Sequence, residues 1–149
     1  MAEQIVAPEL PRVKPSEIAD KLTKSNGEVV VLDVRDAKEV TEGRIKGSLN
    51  VPSSVFKSDD PTSLDEVIKK QLNGAKEVVV HCHFCKIRGP SCAQALNNRL
   101  KALLGAEAVS VGTEVKVLEG GIAAFMEQFK NDSSLVELPE GGWNPAQKH

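Results

Sequence analysis

Three short runs rich in apolar residues divide the chain. They extend from Glu28 to Val34, from Glu77 to Cys82 and from Val115 to Gly121, and valine is the most frequent apolar side chain in each. A continuous apolar run bounded by turn residues is typical of a strand that is covered on both faces of a sheet. The pattern therefore predicts three buried strands. Between Glu42 and Pro52, two glycines and an Asn-Val-Pro step predict a loop with a short strand.

Four further segments place apolar residues at helical spacing. The predicted helices begin at Ser16, Ser63, Gly89 and Ile122. Ser63 and Glu66 have the spacing of a capping box, and the third helix is expected to end at Gly105. Strands and helices thus alternate along the chain. This alternation predicts an α/β fold with a central, mostly parallel sheet that is flanked by helices on both faces.

Length and composition narrow the class of protein. The 149 residues predict a single domain over the whole chain, with a core at about residues 13–130 and a loosely ordered tail from Asn131. A net charge of -2 argues against a nucleic-acid-binding surface, and no apolar run is long enough to span a membrane. The N-terminus lacks the features of a secretory signal. Three cysteines in one segment favour a reducing compartment, so we expect the cytosol or the nucleus.

The segment "VVVHCHFCKIRGPSCAQAL" holds all three cysteines, and it allows several kinds of site. A structural zinc site would use Cys82 and Cys85, but the chain offers no second ligand pair at a distance. A redox dithiol would use the same pair at the start of a helix, and the spacing alone does not exclude it. A third alternative is an ordinary buried Cys82 with Arg88 as a surface charge.

An oxyanion site accounts for more of the segment. Cys82 ends a buried strand, five residues separate it from Arg88, and Gly89 and Pro90 open a helix. A loop of this length can turn backbone N–H groups inward around a tetrahedral anion, where the helix end and a guanidinium add positive potential. The same donors would hold Cys82 as a thiolate, which predicts a cysteine nucleophile with Arg88 as the anion clamp. His81 is then expected to support the site by hydrogen bonding.

Four motifs in this order resemble the rhodanese superfamily, in particular its phosphatase-like branch. "VVVLDVRD", with Asp33 and Arg35, is similar to the first core strand and its Asp-x-Arg signature. "EGRIKGSLNVP" is similar to a second family stretch, with Arg44 where histidine is usual and Ser48 in place of alanine. "HCHFCKIRGP" resembles the active loop, and "VLEGGIAAF" resembles the closing strand, turn and helix. The branch contains phosphatases that activate cyclin-dependent kinases and the arsenate reductases of fungi, plants and protozoa.

The resemblance implies a small cysteine-dependent phosphatase or arsenate reductase. The Cys-x5-Arg loop is longer than that of the sulfur-transferring rhodaneses, which argues against thiosulfate sulfurtransferase activity and leaves it as an alternative. A non-catalytic interaction module is a further alternative. The resemblance implies that Cys82 is the nucleophile and that Arg88 clamps the oxyanion. It also implies that Asp33 and Arg35 brace the active loop. The oxyanion-binding loop would comprise His83, Phe84, Cys85, Lys86, Ile87 and Gly89.

Departures from the family pattern leave the substrate open. His83 and Ile87 stand where cell-cycle phosphatases carry acids, Val34 stands where they hold a resolving cysteine, and Cys85 replaces a common serine. We therefore expect a phosphorylated protein, a small aryl phosphate or arsenate as substrate. No bound cofactor or metal is expected. Arsenate reduction would draw on glutathione or glutaredoxin, with Cys85 or Cys92 as a redox partner of the nucleophile.

Overall fold

The computed structural model describes residues 10–24, 29–57, 62–71, 75–82, 88–111, 114–140 and 142–143. The strands are β1 (Arg12–Val13), β2 (Val29–Asp33), β3 (Arg44–Ile45), β4 (Leu49–Asn50), β5 (Glu77–His81), β6 (Glu114–Leu118) and β7 (Val136–Glu137). The helices are α1 (Pro15–Lys24), α2 (Ala37–Val40), α3 (Ser53–Lys57), α4 (Thr62–Gln71), α5 (Arg88–Val111) and α6 (Gly121–Phe129).

Five strands form one parallel sheet in the order β1-β6-β5-β2-β4. In the centre of the sheet Leu32 on β2 pairs with Val80 on β5, and Val80 pairs with Val117 on β6. A separate antiparallel pair joins β3 to β7. The parallel strands all end at one edge, where strand-end side chains and the loops that follow them gather.

Both faces of the sheet are covered by helices, because successive strand residues point to opposite sides. On one face, Leu32, Val78, Val80, Val115 and Val117 belong to a core that also contains residues of α3, α4 and α5. On the other face, Val31, Val79 and Leu118 pack in a second core with residues of α1 and α6. This two-sided burial explains the unbroken valine runs and confirms the predicted fold class. None of the described helices is long and apolar enough to cross a membrane.

Several elements differ from the sequence predictions. Helix α4 begins at Thr62, so Ser63 lies inside the helix instead of at its N-cap. Helix α5 continues to Val111, because one glycine inside a helix costs only about 1 kcal/mol and does not end it. The expectation of a loosely ordered tail from Asn131 is wrong over its first part. Leu135 and Val136 are buried in the second core, and β7 pairs with β3.

Candidate active site

Cys82 directly follows β5 at the carboxyl edge of the sheet. Its side chain is 3% exposed. Two backbone N–H groups converge on this residue from different elements. Gly89 in the first turn of α5 donates to the Cys82 sulfur at 3.2 Å, and Ile122 in the first turn of α6 donates to the Cys82 carbonyl oxygen at 3.0 Å. Two helix starts therefore fix the cysteine from two sides.

The contact from Gly89 favours the thiolate form of Cys82. An N–H group aimed at sulfur stabilises negative charge on it, and the positive end of a helix dipole acts in the same direction. Helix α5 has 24 residues, and Gly89 is its second residue. The hydrogen bond and the helix dipole therefore offset part of the cost that burial imposes on a charged sulfur.

The remaining residues of the predicted loop lie outside the described part of the chain. They are His83, Phe84, Cys85, Lys86 and Ile87. Helix α5 begins at Arg88, but the side chain of Arg88 is not among the described parts of the chain. The clamp and cradle roles of these residues stay predictions. The zinc alternative, which uses Cys85, also involves this part of the chain. Among the described residues, no group of three His, Cys, Asp or Glu side chains could hold a metal ion.

Asp33 and Arg35 form a fully buried ion pair at the end of β2. Both side chains are 0% exposed, and the Arg35 Nη2 lies 2.7 Å from the Asp33 Oδ2. The Arg35 Nε donates to the Asp33 Oδ1 at 2.9 Å, so the contact is bidentate. Burial works to raise the pKa of Asp33, but the neighbouring His81 and the Arg35 guanidinium outweigh it and lower that pKa.

The Arg35 guanidinium also holds the chain that follows β2. Its Nη1 donates to the Glu39 carbonyl oxygen at 3.1 Å, and its Nη2 donates to the Gly43 carbonyl oxygen at 2.8 Å. Gly43 has φ +140°, and a Cβ there would lie 2.6 Å from the Trp143 ring. Glycine is therefore required at this position, and the carbonyl that it presents to Arg35 depends on it.

Asn50 completes the support on the β4 side. Its Nδ2 donates to the backbone oxygens of Asp33 at 2.9 Å and Arg35 at 2.8 Å. Sequence reasoning did not single out Asn50, although the Asn-Val-Pro step at the end of a short strand marked the position. Backbone acceptors such as Glu39 and Gly43 leave no signal in the composition. They become visible only in the structure.

His81 lies beside the ion pair, in register with Asp33 across β5 and β2. It is 0% exposed, and its Nδ1 lies 3.2 Å from the Cys82 carbonyl oxygen. Among the described residues, its Nε2 has no hydrogen-bond partner. Burial lowers the pKa of His81, and the Asp33 charge offsets only part of that effect. The imidazole is therefore neutral at neutral pH, where the Arg35 guanidinium is the cation bonded to Asp33.

Cys92 lies in α5, one turn after Gly89. It is 1% exposed and belongs to the same core cluster as Cys82. A thiol this deeply buried reaches solvent oxidants poorly. Its proposed redox role therefore requires a movement of α5 or of the loop before it, and it stays a prediction.

Comparison with known proteins assigns the family. A model described as rhodanese-like domain matches residues 15–128, which is most of the chain. The chain belongs to the rhodanese-like domain family. Its five-stranded parallel sheet with helices on both faces agrees with that assignment.

The relatives of this rhodanese-like chain include both phosphatases and arsenate reductases. It is 28% identical over 136 residues to dual specificity phosphatase ibp1 of Schizosaccharomyces pombe, a match that covers 84% of this chain and 94% of the relative. It is 33% identical over 93 residues to arsenate reductase 2.2 of Oryza sativa subsp. japonica, covering 62% of this chain and 65% of that protein. The solved structure of Ygr203w, a yeast protein tyrosine phosphatase of the rhodanese family, matches with a TM-score of 0.69 at 26% identity. That match covers 87% of this chain and 92% of Ygr203w. These relatives support enzymatic activity.

One departure from the rhodanese pattern has a structural explanation. Arg44, where the family usually has histidine, donates through Nη2 to the Ser48 carbonyl oxygen at 2.6 Å. Its Nε lies 3.2 Å from the carboxylate of Glu137, its register partner on β7. Arg44 thus connects the family motif, through its side chain, to Glu137 on β7.

Proposed function

We propose that this protein is a cysteine-dependent phosphatase that acts on phosphorylated protein or small aryl phosphates through a Cys82 thiolate. The observation that carries the proposal is the Gly89 N–H aimed at the Cys82 sulfur at 3.2 Å, at the start of a long helix. A thiolate held in this way at the carboxyl edge of a parallel sheet suits attack on a tetrahedral oxyanion. The span of the match to the S. pombe phosphatase supports the same choice.

The reaction would proceed in two steps, formation and hydrolysis of a phosphocysteine. The Cys82 thiolate attacks phosphorus, an S–P bond forms, and the bond from phosphorus to the leaving oxygen breaks. Water then attacks phosphorus, the S–P bond breaks, and phosphate leaves as the thiolate returns. Arg88 and the backbone of the loop would hold the non-bridging oxygens during both steps. The buried Asp33–Arg35 pair supports the strand next to Cys82 and takes no part in bond making.

Arsenate reduction is the second candidate, favoured by the match to the rice arsenate reductase. Here Cys82 would bind arsenate covalently, and a second thiol would supply the electrons. Glutathione or glutaredoxin is the external thiol that we propose, and Cys85 is the internal one. The phosphatase takes precedence because its chemistry needs only the thiolate, the anion site and water.

One pair of assays on the purified protein tests both candidates. We expect hydrolysis of p-nitrophenyl phosphate by the wild type, and loss of all detectable hydrolysis in Cys82→Ser. Arg88→Ala should lower kcat/KM by about 100- to 1000-fold, the usual effect of removing one strong oxyanion donor. Glutathione- and glutaredoxin-dependent reduction of arsenate is measured on the same preparations.

Cys85→Ser separates the two chemistries. It should leave phosphate ester hydrolysis in place and lower arsenate reduction if Cys85 is the internal thiol. Hydrolysis that survives Cys82→Ser would contradict the proposed nucleophile. A wild type that reduces arsenate but hydrolyses no phosphate ester would replace the first candidate by the second.

A further inference from the structure

The loop between Cys82 and Arg88 contains no carboxyl group, so a carboxylic acid that protonates the leaving group would have to come from another element. Positions 83–87 are occupied by His83, Phe84, Cys85, Lys86 and Ile87. An oxygen leaving group needs a proton as its bond to phosphorus breaks, and a positioned acid contributes about 10²- to 10⁴-fold to such a step.

Three acids near the end of β2 are already occupied. Asp33 is fully buried, with both carboxylate oxygens bonded to Arg35. Asp36 and Glu39 bond each other's backbone N–H groups in the capping box of α2, at 2.9 and 3.2 Å. All three carboxyl groups thus already have structural roles.

Glu119 lies next to Cys82 across the sheet. Val80 on β5 pairs with Val117 on β6, and this is the last pair of the ladder. Cys82 and Glu119 each follow two residues after that pair, just beyond the ends of the two strands. On the side of β1, the Glu119 N–H donates to the Val13 carbonyl oxygen at 2.8 Å. On the side of β5, the Cys82 carbonyl oxygen accepts from the N–H of Ile122, three residues after Glu119, at 3.0 Å. Adjacent strands are about 4.8 Å apart, so the two backbones are immediate neighbours.

The alternation of strand residues places Glu119 on the same face as Cys82. Val115 and Val117 share a core cluster with Val80 and Cys82, and Glu119, directly after the end of β6, continues that series. Unlike the valines, Glu119 is exposed. Among the described residues, none forms a hydrogen bond or ion pair with its carboxylate. A carboxyl group thus stands beside the cysteine with access to solvent.

We propose that Glu119 is the acid–base catalyst of the phosphatase reaction, an inference that rests on the proposed function. In the first step the Glu119 carboxyl gives its proton to the leaving oxygen while the Cys82 sulfur bonds to phosphorus. In the second step the resulting carboxylate takes a proton from the attacking water as the S–P bond breaks. The carboxyl group and the thiolate are both restored at the end of the cycle.

The test compares esters that differ in their need for a proton. p-Nitrophenyl phosphate has a good leaving group, and phenyl phosphate has a poor one. Glu119→Gln should lower kcat/KM for phenyl phosphate by about 100-fold, and that for p-nitrophenyl phosphate by much less. The ratio of kcat/KM for p-nitrophenyl phosphate to kcat/KM for phenyl phosphate therefore rises. Damage to the fold would lower both rates together and leave the ratio unchanged.

Glu114→Gln is the matched control. Glu114 is also exposed and also lies on β6, at the opposite edge of the sheet, in register with Glu77. Its substitution should leave both rates unchanged. A Glu119→Gln protein with the wild-type ratio would overturn the role of Glu119 while leaving the proposed phosphatase intact. A wild type that hydrolyses neither ester would overturn both.

Discussion

Each edge of the parallel sheet holds a buried carboxylate, and the two are neutralised in different ways. At the carboxyl edge, Asp33 ends β2 and is paired with Arg35, with both side chains 0% exposed. At the amino edge, Glu77 begins β5 and receives two ammonium groups, Lys21 at 2.7 Å and Lys116 at 3.2 Å. These lysine side chains are 34% and 17% exposed.

The chemistry of the two cations explains the difference. A guanidinium presents its donors in a planar fork, and Arg35 uses them for Asp33 and for the backbone oxygens of Glu39 and Gly43. The ammonium groups of Lys21 and Lys116 are compact charges on flexible stems, and part of each side chain reaches water. The Arg35 pair therefore organises the chain around the site, whereas the Glu77 cluster neutralises one carboxylate.

This comparison indicates that the carboxyl edge is built for rigidity beside Cys82. The register pairs Asp33 with His81, and Cys82 follows His81 directly. A shift of Arg35 would move the end of β2 and the imidazole that precedes Cys82. The amino edge lies a strand length away, so changes there should affect stability without reaching the chemistry.

The largest expected effect is that of Arg35→Met. It leaves a buried Asp33 carboxylate without its cation, which should cost about 3–5 kcal/mol of the free energy of unfolding. We also expect kcat/KM for p-nitrophenyl phosphate to fall. Urea unfolding and steady-state kinetics at a temperature where the variant is folded measure the two effects.

Arg35→Lys is the control for charge alone. Lysine keeps the positive charge but cannot reach Asp33, Glu39 and Gly43 together, so we expect a loss of about 2 kcal/mol from unmade buried hydrogen bonds. An Arg35→Lys variant with wild-type stability and activity would show that charge, and not the guanidinium fork, supports the site.

The next effect is a pH dependence that arises mainly at the carboxyl edge. Burial lowers the pKa of His81 below its ordinary 6.5. Below about pH 6.5, His81 is therefore protonated in the unfolded chain while it is still neutral in the folded chain. Stability should therefore fall as the pH is lowered from 6.5 toward the folded pKa. The slope approaches about 1.4 kcal/mol per pH unit while only the unfolded state is protonated. His81→Asn should flatten this part of the curve in urea unfolding between pH 7 and pH 5.

The free energy of unfolding should decline a second time, at lower pH, because of the carboxylates at both edges of the sheet. The pKa values of Asp33 and Glu77 are both lowered, because their cationic partners outweigh the effect of burial. Each carboxylate therefore stabilises the fold above its unfolded pKa, and that contribution is lost as the pH falls through the folded value. A stability curve that stays flat from pH 7 to pH 5 in the wild type would contradict the neutral, buried His81.

The sequence predicts the strands that carry the site better than the hydrogen bonds that support it. The apolar runs locate β2, β5 and β6, and they place Asp33, His81 and Cys82 at strand ends, because two-sided burial leaves an unmistakable pattern. The partners of Arg35 are backbone oxygens, whose positions depend on tertiary packing and not on residue type. The cysteine–glycine contact at the start of α5 likewise depends on how the helix meets the strand.

Short and late elements escaped prediction for a related reason. Strand β7 has two residues and follows the polar stretch Asp132 to Ser134, too short a segment for periodicity to register. Glu119 was visible in "VKVLEGG" as the residue after a buried strand. Only the pairing of β6 with β5 places it near Cys82, since pairing is a property of two strands and not of one.

The smallest expected effect is that of Glu77→Gln at the amino edge. It removes the shared carboxylate charge, but Lys21 and Lys116 can extend into water, so the loss should be about 1 kcal/mol. Hydrolysis of p-nitrophenyl phosphate should not change, because the substitution lies at the far end of β5 from Cys82. The same urea and kinetic measurements that are made on Arg35→Met apply here. A Glu77→Gln protein with lower activity and wild-type stability would reverse the contrast between the edges, since the amino edge would then be coupled to the cysteine through β5.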